Sequence, residues 1–395
     1  MEIKSKRGVK LVEILMSRNV RLSQTESLRL YSLTIENGIT PKSERYDREH
    51  LVKDVKEKKY KIVKPNDIVY NPANLRWGAI AISRENCDVL VSPIYEVLSV
   101  VSDNNPRYVY YAVSEPRQIK RFASMIEGTV VERMAVKLEA FLKTTISLPS
   151  RETQDSIVHT IDTWDGVISV AENLLKAKRK RWSYLARKMI KNPINNPYNW
   201  EIVALSELFE RVKTKNTLGN DNVLTISGSL GLVSQVEYFN KSVASSDLTG
   251  YYFIKRGDFA YNKSYSNGYP YGAIKRLDRY DCGIVSSLYI CLRPKNNQCH
   301  SDYFMHYFEA GLLNSEVAEI AREGARNHGL LNVGVKDFFS LKVCVPPIEY
   351  QEKIASVLTK ANEEIEILEK YLDLLKKQRQ GLVADLVYNR RVVNI

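Results

Sequence analysis

The chain has 395 residues, 44% of them hydrophobic and 26% charged, and Lys and Arg outnumber Asp and Glu by 58 to 46 for a net charge of +12. This length and apolar content allow two or more cored domains and exclude a disordered or collagen-like chain. The basic excess, with a pI near 9.2, points to a polyanionic partner, of which nucleic acid is the commonest. No signal peptide or apolar run of bilayer length is visible, so a cytoplasmic location is expected. The five cysteines (Cys87, Cys282, Cys291, Cys299, Cys344) lack paired CxxC spacing and read as reduced structural thiols. Only Cys299-His300 with His306 gathers metal-type ligands, and no metal site is expected there.

In chain order, residues 1–148 read as mixed strands and helices. Leu11–Leu15 opens a short amphipathic element and Arg29–Ile35 alternates like a strand. Ile62–Asn71 is a strand entered through a Pro-Asn turn, and Trp77–Ile82 and Val89–Tyr95 are further strands. Tyr108–Arg121 is expected to be helical, and Ile146–Pro149 closes the segment. Residues 149–192 then form a long helix. Its apolar positions, from Ile157 through Ile161, Trp164, Ile168, Ala171, Leu175, Trp182 and Leu185 to Met189, step by fours and threes along one seam, with Lys178 in the skipped slot.

The order then repeats. In residues 193–345, Leu205–Phe209 matches Leu11–Leu15, and Ile254–Asn262 matches Val63–Asn71 with Lys, Asp, Tyr and Asn at the same spacing. Tyr271–Ile274 matches Trp77–Ile80, and Glu323-Gly324 matches Glu127-Gly128. Residues 346–390 form a second long helix, whose seam runs from Ile354 to Leu386 at an offset of 197 from the first. Each run of about forty residues makes roughly 60 Å of helix at about 1.5 Å per residue. Two seams in one register at a fixed offset indicate an internal duplication. The halves meet at Lys191–Asn199, where two Asn-Pro pairs mark a break.

No GxxxxGK[ST] loop, acid cluster with Lys, or nucleophile–base spacing is present, so binding is favoured over catalysis. Asn71-Pro72-Ala73-Asn74 lacks the second Pro and the aromatic of an amino-methyltransferase motif and reads as a turn. Between strands, Asn262–Tyr271 mixes amides, a cation and aromatics: Lys263, Ser264, Tyr265, Asn267 and Tyr269 are candidate DNA contacts. Its counterpart carries Asn74, Arg76 and Trp77. A second pair of loops adds Arg133 in the first half and Arg326 with Asn327 in the second. The alternative is that these are solvated loops propped by tyrosines.

The whole chain resembles the specificity (S) subunit of type I restriction–modification systems. The resemblance rests on the paired Lys/Asp/Tyr-Asn strands, the Gly-Ala-Ile elements and the run Val345-Pro346-Pro347-Ile348-Glu349-Tyr350-Gln351 before the second helix. Leu148–Gln154 keeps one Pro and the Gln of that run. The resemblance implies an α+β fold in which two similar target recognition domains, each mixed α/β, are separated by two long helices. Those helices would pair as an antiparallel coiled coil, giving a pseudo-two-fold duplication. Each domain would read half of a bipartite site in double-stranded DNA, and methylation and restriction subunits, two of each, would dock on the helices. S-adenosylmethionine, ATP and Mg belong to those partners, and the chain itself would carry no catalysis and no cofactor. The competing reading is a coiled-coil scaffold or adaptor without DNA specificity. In an antiparallel pairing, Trp182 would face Ala361, Leu175 would face Leu368, and Ala171 would face Leu372. Trp164 would lie against Arg379 in a cation–π contact, Lys178 against Ile365, and Asp162 and Asp165 near Lys376, Lys377 and Arg379.

Overall fold

The computed structural model describes residues 7–24, 28–42, 59–101, 103–126, 134–190, 200–228, 230–239, 247–266, 268–295, 298–321 and 331–389. By its internal contacts the chain divides into unit 1, Met1–Ala171 with Tyr371–Ile395, and unit 2, Glu172–Lys370.

Unit 1 opens with β1 (Arg7–Lys10), a 3-10 turn (Leu11–Glu13), β2 (Leu15–Ser17), β3 (Arg21–Ser23), β4 (Leu30–Thr34) and β5 (Gly38–Pro41). It continues with β6 (Lys59–Val63), β7 (Ile68–Tyr70), a 3-10 turn (Leu75–Trp77), β8 (Ile80–Ile82), β9 (Val89–Val91) and β10 (Glu96–Val100). Then come α1 (Pro106–Val113), α2 (Pro116–Ala123), α3 (Leu138–Leu142), β11 (Thr145–Leu148) and α4 (Arg151–Ile190), whose later part belongs to unit 2. One sheet has the order β2-β10-β7-β8 and another β3-β6-β9-β4-β5, in which β4 and β9 run parallel. β1 pairs with β11. Asn105 caps α1 by accepting from the amides of Arg107 and Tyr108. The single helix expected over Tyr108–Arg121 is two helices, because Pro116, with no amide hydrogen, begins a new one. The core is aromatic where these layers meet: Phe141 stacks on both Tyr70 and Phe122, each at 4.7 Å.

Unit 2 runs β12 (Glu201–Ala204), α5 (Leu205–Leu208), β13 (Phe209–Val212), β14 (Leu224–Ser227), β15 (Gly231–Ser234) and α6 (Gln235–Phe239). These are followed by β16 (Tyr252–Lys255), β17 (Phe259–Asn262), β18 (Ala273–Arg276), β19 (Cys282–Val285) and β20 (Ile290–Pro294). The unit closes with α7 (Ser301–Glu309), α8 (Asn314–Ile320), α9 (Val335–Phe339), β21 (Lys342–Val345) and the first part of α10 (Ile348–Val383), whose remainder from Tyr371 and final π-helical turn (Ala384–Asn389) belong to unit 1. Its four-stranded sheet has the order β13-β20-β17-β18, and β12 pairs with β21. β14-β15 and β16-β19 are separate ladders joined by a parallel bridge, Val223 to Ile284. Strand for strand this is the connectivity of unit 1, with the five-stranded sheet loosened into two ladders and bridges. Phe209, Phe259, Phe304 and Phe308 form the centre, and Tyr261 stacks on Phe338 at 4.9 Å.

The two long helices cover the expected spans within a few residues, and no seam position on either is exposed. In unit 1, Arg379 of α10 bonds Asp165 of α4 at 2.5 Å. Its guanidinium takes this carboxylate, and it makes no ring contact with Trp164 among the described residues. Asp162 bonds Arg107 of α1 rather than a cation of α10. The Asp165–Arg379 pair is among those expected from register, and it takes the guanidinium in place of the ring contact, while Asp162 is drawn to a cation of its own domain. In unit 2, Lys178 bonds Glu364 and Arg179 bonds Glu369, both at 2.6 Å. Trp182 donates its indole N–H to the Leu358 carbonyl at 3.3 Å. Among the described residues no helix is long and apolar enough to cross a membrane.

Candidate nucleic-acid interface

The residues shared between the halves do matching work. In unit 1 the β6–β7 turn, with Asn66 at φ 68, is closed by Asp67, whose carboxylate accepts from the Lys64 amide at 2.9 Å and from Arg18 at 2.7 Å. In unit 2 the β16–β17 turn, with Gly257 at φ 91, is closed by Asp258, which accepts from the Lys255 amide at 2.8 Å and from Arg293 at 2.7 Å. Both carboxylates are buried. The bond to the carboxylate stabilises each guanidinium and raises its pKa. Tyr70 and Tyr261 are both buried and stacked on a phenylalanine. Asn71 and Asn262 each turn the side-chain carbonyl back to the backbone, onto the amides of Ala73 at 3.0 Å and Ser264 at 3.1 Å. Gln154 and Gln351, both buried, tie the first turn of a long helix to its own domain. Gln154 accepts from the Asn105 amide at 2.8 Å and donates to the Pro149 carbonyl at 2.9 Å. Gln351 accepts from the His300 amide and donates to the Pro346 carbonyl, each at 2.9 Å.

What this framework holds differs. Unit 1 presents a tight turn: the Asn71 amide donates to the Ala79 carbonyl at 3.0 Å, and the Asn74 carbonyl accepts from Trp77 at 3.0 Å and Ala79 at 3.2 Å. Leu75 is buried beneath it, and Gly78 at φ 91 ends it. Arg76 lies 4.0 Å over the Trp77 ring, which is 58% exposed. That contact contributes about 0.5–1 kcal/mol and keeps the cation beside the indole.

Unit 2 presents a longer loop. The Lys263 carbonyl accepts from the Leu331 amide at 3.0 Å, and Ser266 and Tyr269 exchange backbone bonds. Tyr265 at the tip is 65% exposed. Tyr269, expected as a DNA contact, donates its hydroxyl to Glu309 at 2.6 Å, while Lys275 bonds Glu309 at 2.5 Å and lies over the Tyr269 ring. Burial and the Glu309 charge push this phenol well above its ordinary range. Tyr269 therefore serves as the strut of the loop. Lys275 and Glu309, which hold it, were absent from the expected residues, and only their opposite charge hinted at a pairing across 34 positions. Gly272, at φ 82, closes the loop where a Cβ would meet the Asn262 carbonyl at 2.3 Å. A cavity of about 220 Å³ lies beneath, lined by Tyr269, Gly272, Glu309 and Asn314 among others.

Asn74, Arg76 and Trp77 are thus brought together in one turn, and Lys263, Ser264 and Tyr265 in another. Arg133, Asn267, Arg326 and Asn327 lie outside the described residues. The cysteines are all free, and burial pushes the Cys291 and Cys299 thiols up to about 12, far from a reactive or ligating thiolate.

Residues 197–377 match the family model described as "Type I restriction modification DNA specificity domain". Among solved structures, the type I restriction-modification system S subunit from M. genitalium shares 13% identity over 98% of this chain and 96% of its own, with a TM-score of 0.55. A chain from a structural study of complex assembly and conformational transition of the type I R-M system shares 14% identity over 98% of this chain and 99% of its own, with a TM-score of 0.59. At such identities these two likenesses speak to the fold, while the family match speaks to the specificity domain itself. Residues 197–377 thus carry a type I restriction–modification DNA specificity domain, and the chain as a whole is similar in fold to S subunits of those systems.

Proposed function

We propose that the chain reads a bipartite DNA site, one half-site per unit, and that its two long helices pair as an antiparallel coiled coil that sets the distance between readers. In this reading the units are duplicated target recognition domains, and methylation and restriction subunits dock on the helices. Methyl transfer and ATP-driven steps take place on those partners, with no catalytic group supplied by this chain. One observation carries the proposal. Both units spend the same Asp, Tyr and Asn on building a platform, and each platform displays a different tip: Arg76 stacked on Trp77 in one, Lys263 to Tyr265 in the other. A common scaffold with divergent polar tips is what two independent base readers require, since phosphate contacts position and base-edge contacts specify.

The test is an exchange of residues 200–345 for the same region of another specificity subunit, followed by methylome mapping. One half-site should change while the other half-site and the spacer stay. Single changes should follow suit: Lys263→Ala should weaken or relax the half-site that the exchange alters, and Arg76→Ala the other, at about 1–3 kcal/mol for each base-specific bond removed. A change of both half-sites on exchange would mean that the domains are not independent readers.

A further inference from the structure

We propose that the two recognition units grip DNA unequally: unit 1 carries a phosphate-binding helix face beside its loop, and unit 2 lacks it. The inference rests on the DNA-reading function above and adds the binding surface to it. In unit 1, α2 packs against the Leu75–Trp77 turn, so it flanks the candidate loop. Arg117, Lys120 and Arg121 stand at i, i+3 and i+4 on this helix and share one face. All three are exposed, while Phe122 on the opposite side is fully buried. Among the described residues no carboxylate bonds any of the three, and the one polar contact, from Arg121 to the Thr145 hydroxyl at 3.4 Å, is long and neutral. Three unneutralised cations on a rigid face, next to a turn that adds Arg76, make a site for the regularly spaced anions of a nucleic-acid backbone.

The equivalent helix in unit 2 is α8. It flanks its own loop, since Asn314 and Val317 line the cavity beneath Tyr269 and Gly272. Counted from the buried anchors Phe122 and Val317, Lys120 is replaced by Ser315, Arg121 by Glu316 and Ser124 by Glu319. No Lys or Arg remains on α8. The helix in unit 2 would repel a phosphate at the place where that in unit 1 attracts one. The affinity that is independent of sequence, and most of its salt dependence at these helices, therefore comes from unit 1, and unit 2 relies on its loop.

The test uses the full chain assembled with methylation subunits and a duplex bearing the cognate site, with Kd measured from low to moderate salt. The triple variant Arg117→Gln, Lys120→Gln, Arg121→Gln should lower the slope of log Kd against log salt by about 2 to 3, near 0.9 for each phosphate no longer neutralised. The methylated motif should be unchanged. The variant Arg117→Lys, Arg121→Lys should keep the parent slope, which separates removal of charge from damage to the helix. Glu316→Gln with Glu319→Gln should leave the slope unchanged or raise it. The inference is overturned if the triple variant keeps the parent slope, if its half-site sequence changes, or if it loses methylation-subunit assembly with DNA salt dependence intact. If the parent complex shows no site-specific binding at all, the DNA-reading function fails instead.

Discussion

In unit 1, Asp67 closes a turn and holds Arg18, Tyr70 packs on Phe141, and Asn71 folds back on Ala73; in unit 2, Asp258, Tyr261 and Asn262 repeat these tasks on Arg293, Phe338 and Ser264. Beyond that shared framework the units diverge at their tips. One tip is a 3-10 turn with a stacked cation, and the other is a loop braced by Tyr269, Glu309 and Lys275. The residues that the two units share are therefore builders. Candidate readers have to be sought where the units differ.

Removing the builder should give the largest effect. Asp258→Ala leaves the Lys255 amide without its acceptor and Arg293 with Glu210 alone, and Asp67→Ala removes the acceptor of the Lys64 amide and of Arg18, at about 3–5 kcal/mol each for the two bonds lost together. Urea unfolding of the full chain should show each loss, and a loss under about 1 kcal/mol in either variant would break the equivalence of the two turns.

The closing glycines should separate the units. At Gly272, φ is 82 and a Cβ would strike backbone, whereas at Gly78, φ is 91 with open space around. Gly272→Ala should cost about 2–4 kcal/mol and Gly78→Ala only about 1–2 kcal/mol for the left-handed backbone. Equal losses in thermal or urea unfolding would remove the contrast drawn between the tight turn and the braced loop.

A smaller difference should appear with pH. His306 is buried in unit 2, bonded to the Thr359 hydroxyl at 2.9 Å, and burial lowers its pKa from 6.5 to about 4. By position on α1, its place in unit 1 is taken by Tyr111. The fold favours neutral imidazole, so the unfolded chain takes up the proton first as pH falls. Stability present above pH 6.5 is then lost toward pH 4, by about 2 kcal/mol between pH 7 and pH 5. His306→Gln, which can keep the bond to Thr359, should flatten that dependence. An unchanged acid dependence in the variant would assign it to another group.

Much of the architecture is legible in the residues alone. Four-three spacing places both long helices to within a few residues, because a helix that buries one seam must return an apolar side chain to it every third or fourth residue. The matched strands are legible for a related reason, since turns of the same geometry need the same side chains. Legibility ends where a choice of partner is required. Tyr108–Arg121 has a helical pattern throughout, yet Pro116 divides it. Asp162 has cations of α10 as candidate partners and takes Arg107. Tyr269 sits in a candidate reading loop, and its bond to a glutamate 40 residues away leaves no mark in the local pattern.

The sequence by itself therefore determined periodic structure, the repeat of its elements and the kind of ligand a basic chain seeks. Spacing, turn chemistry and net charge act locally or in sum, and can be read without knowing which residues meet. Only the tertiary structure decided which polar groups are spent on the fold and which remain for DNA. A hydrogen bond is committed when geometry brings one donor to one acceptor, and residues such as Asp67 and Arg18, 49 apart in the chain, meet only when the sheets have formed.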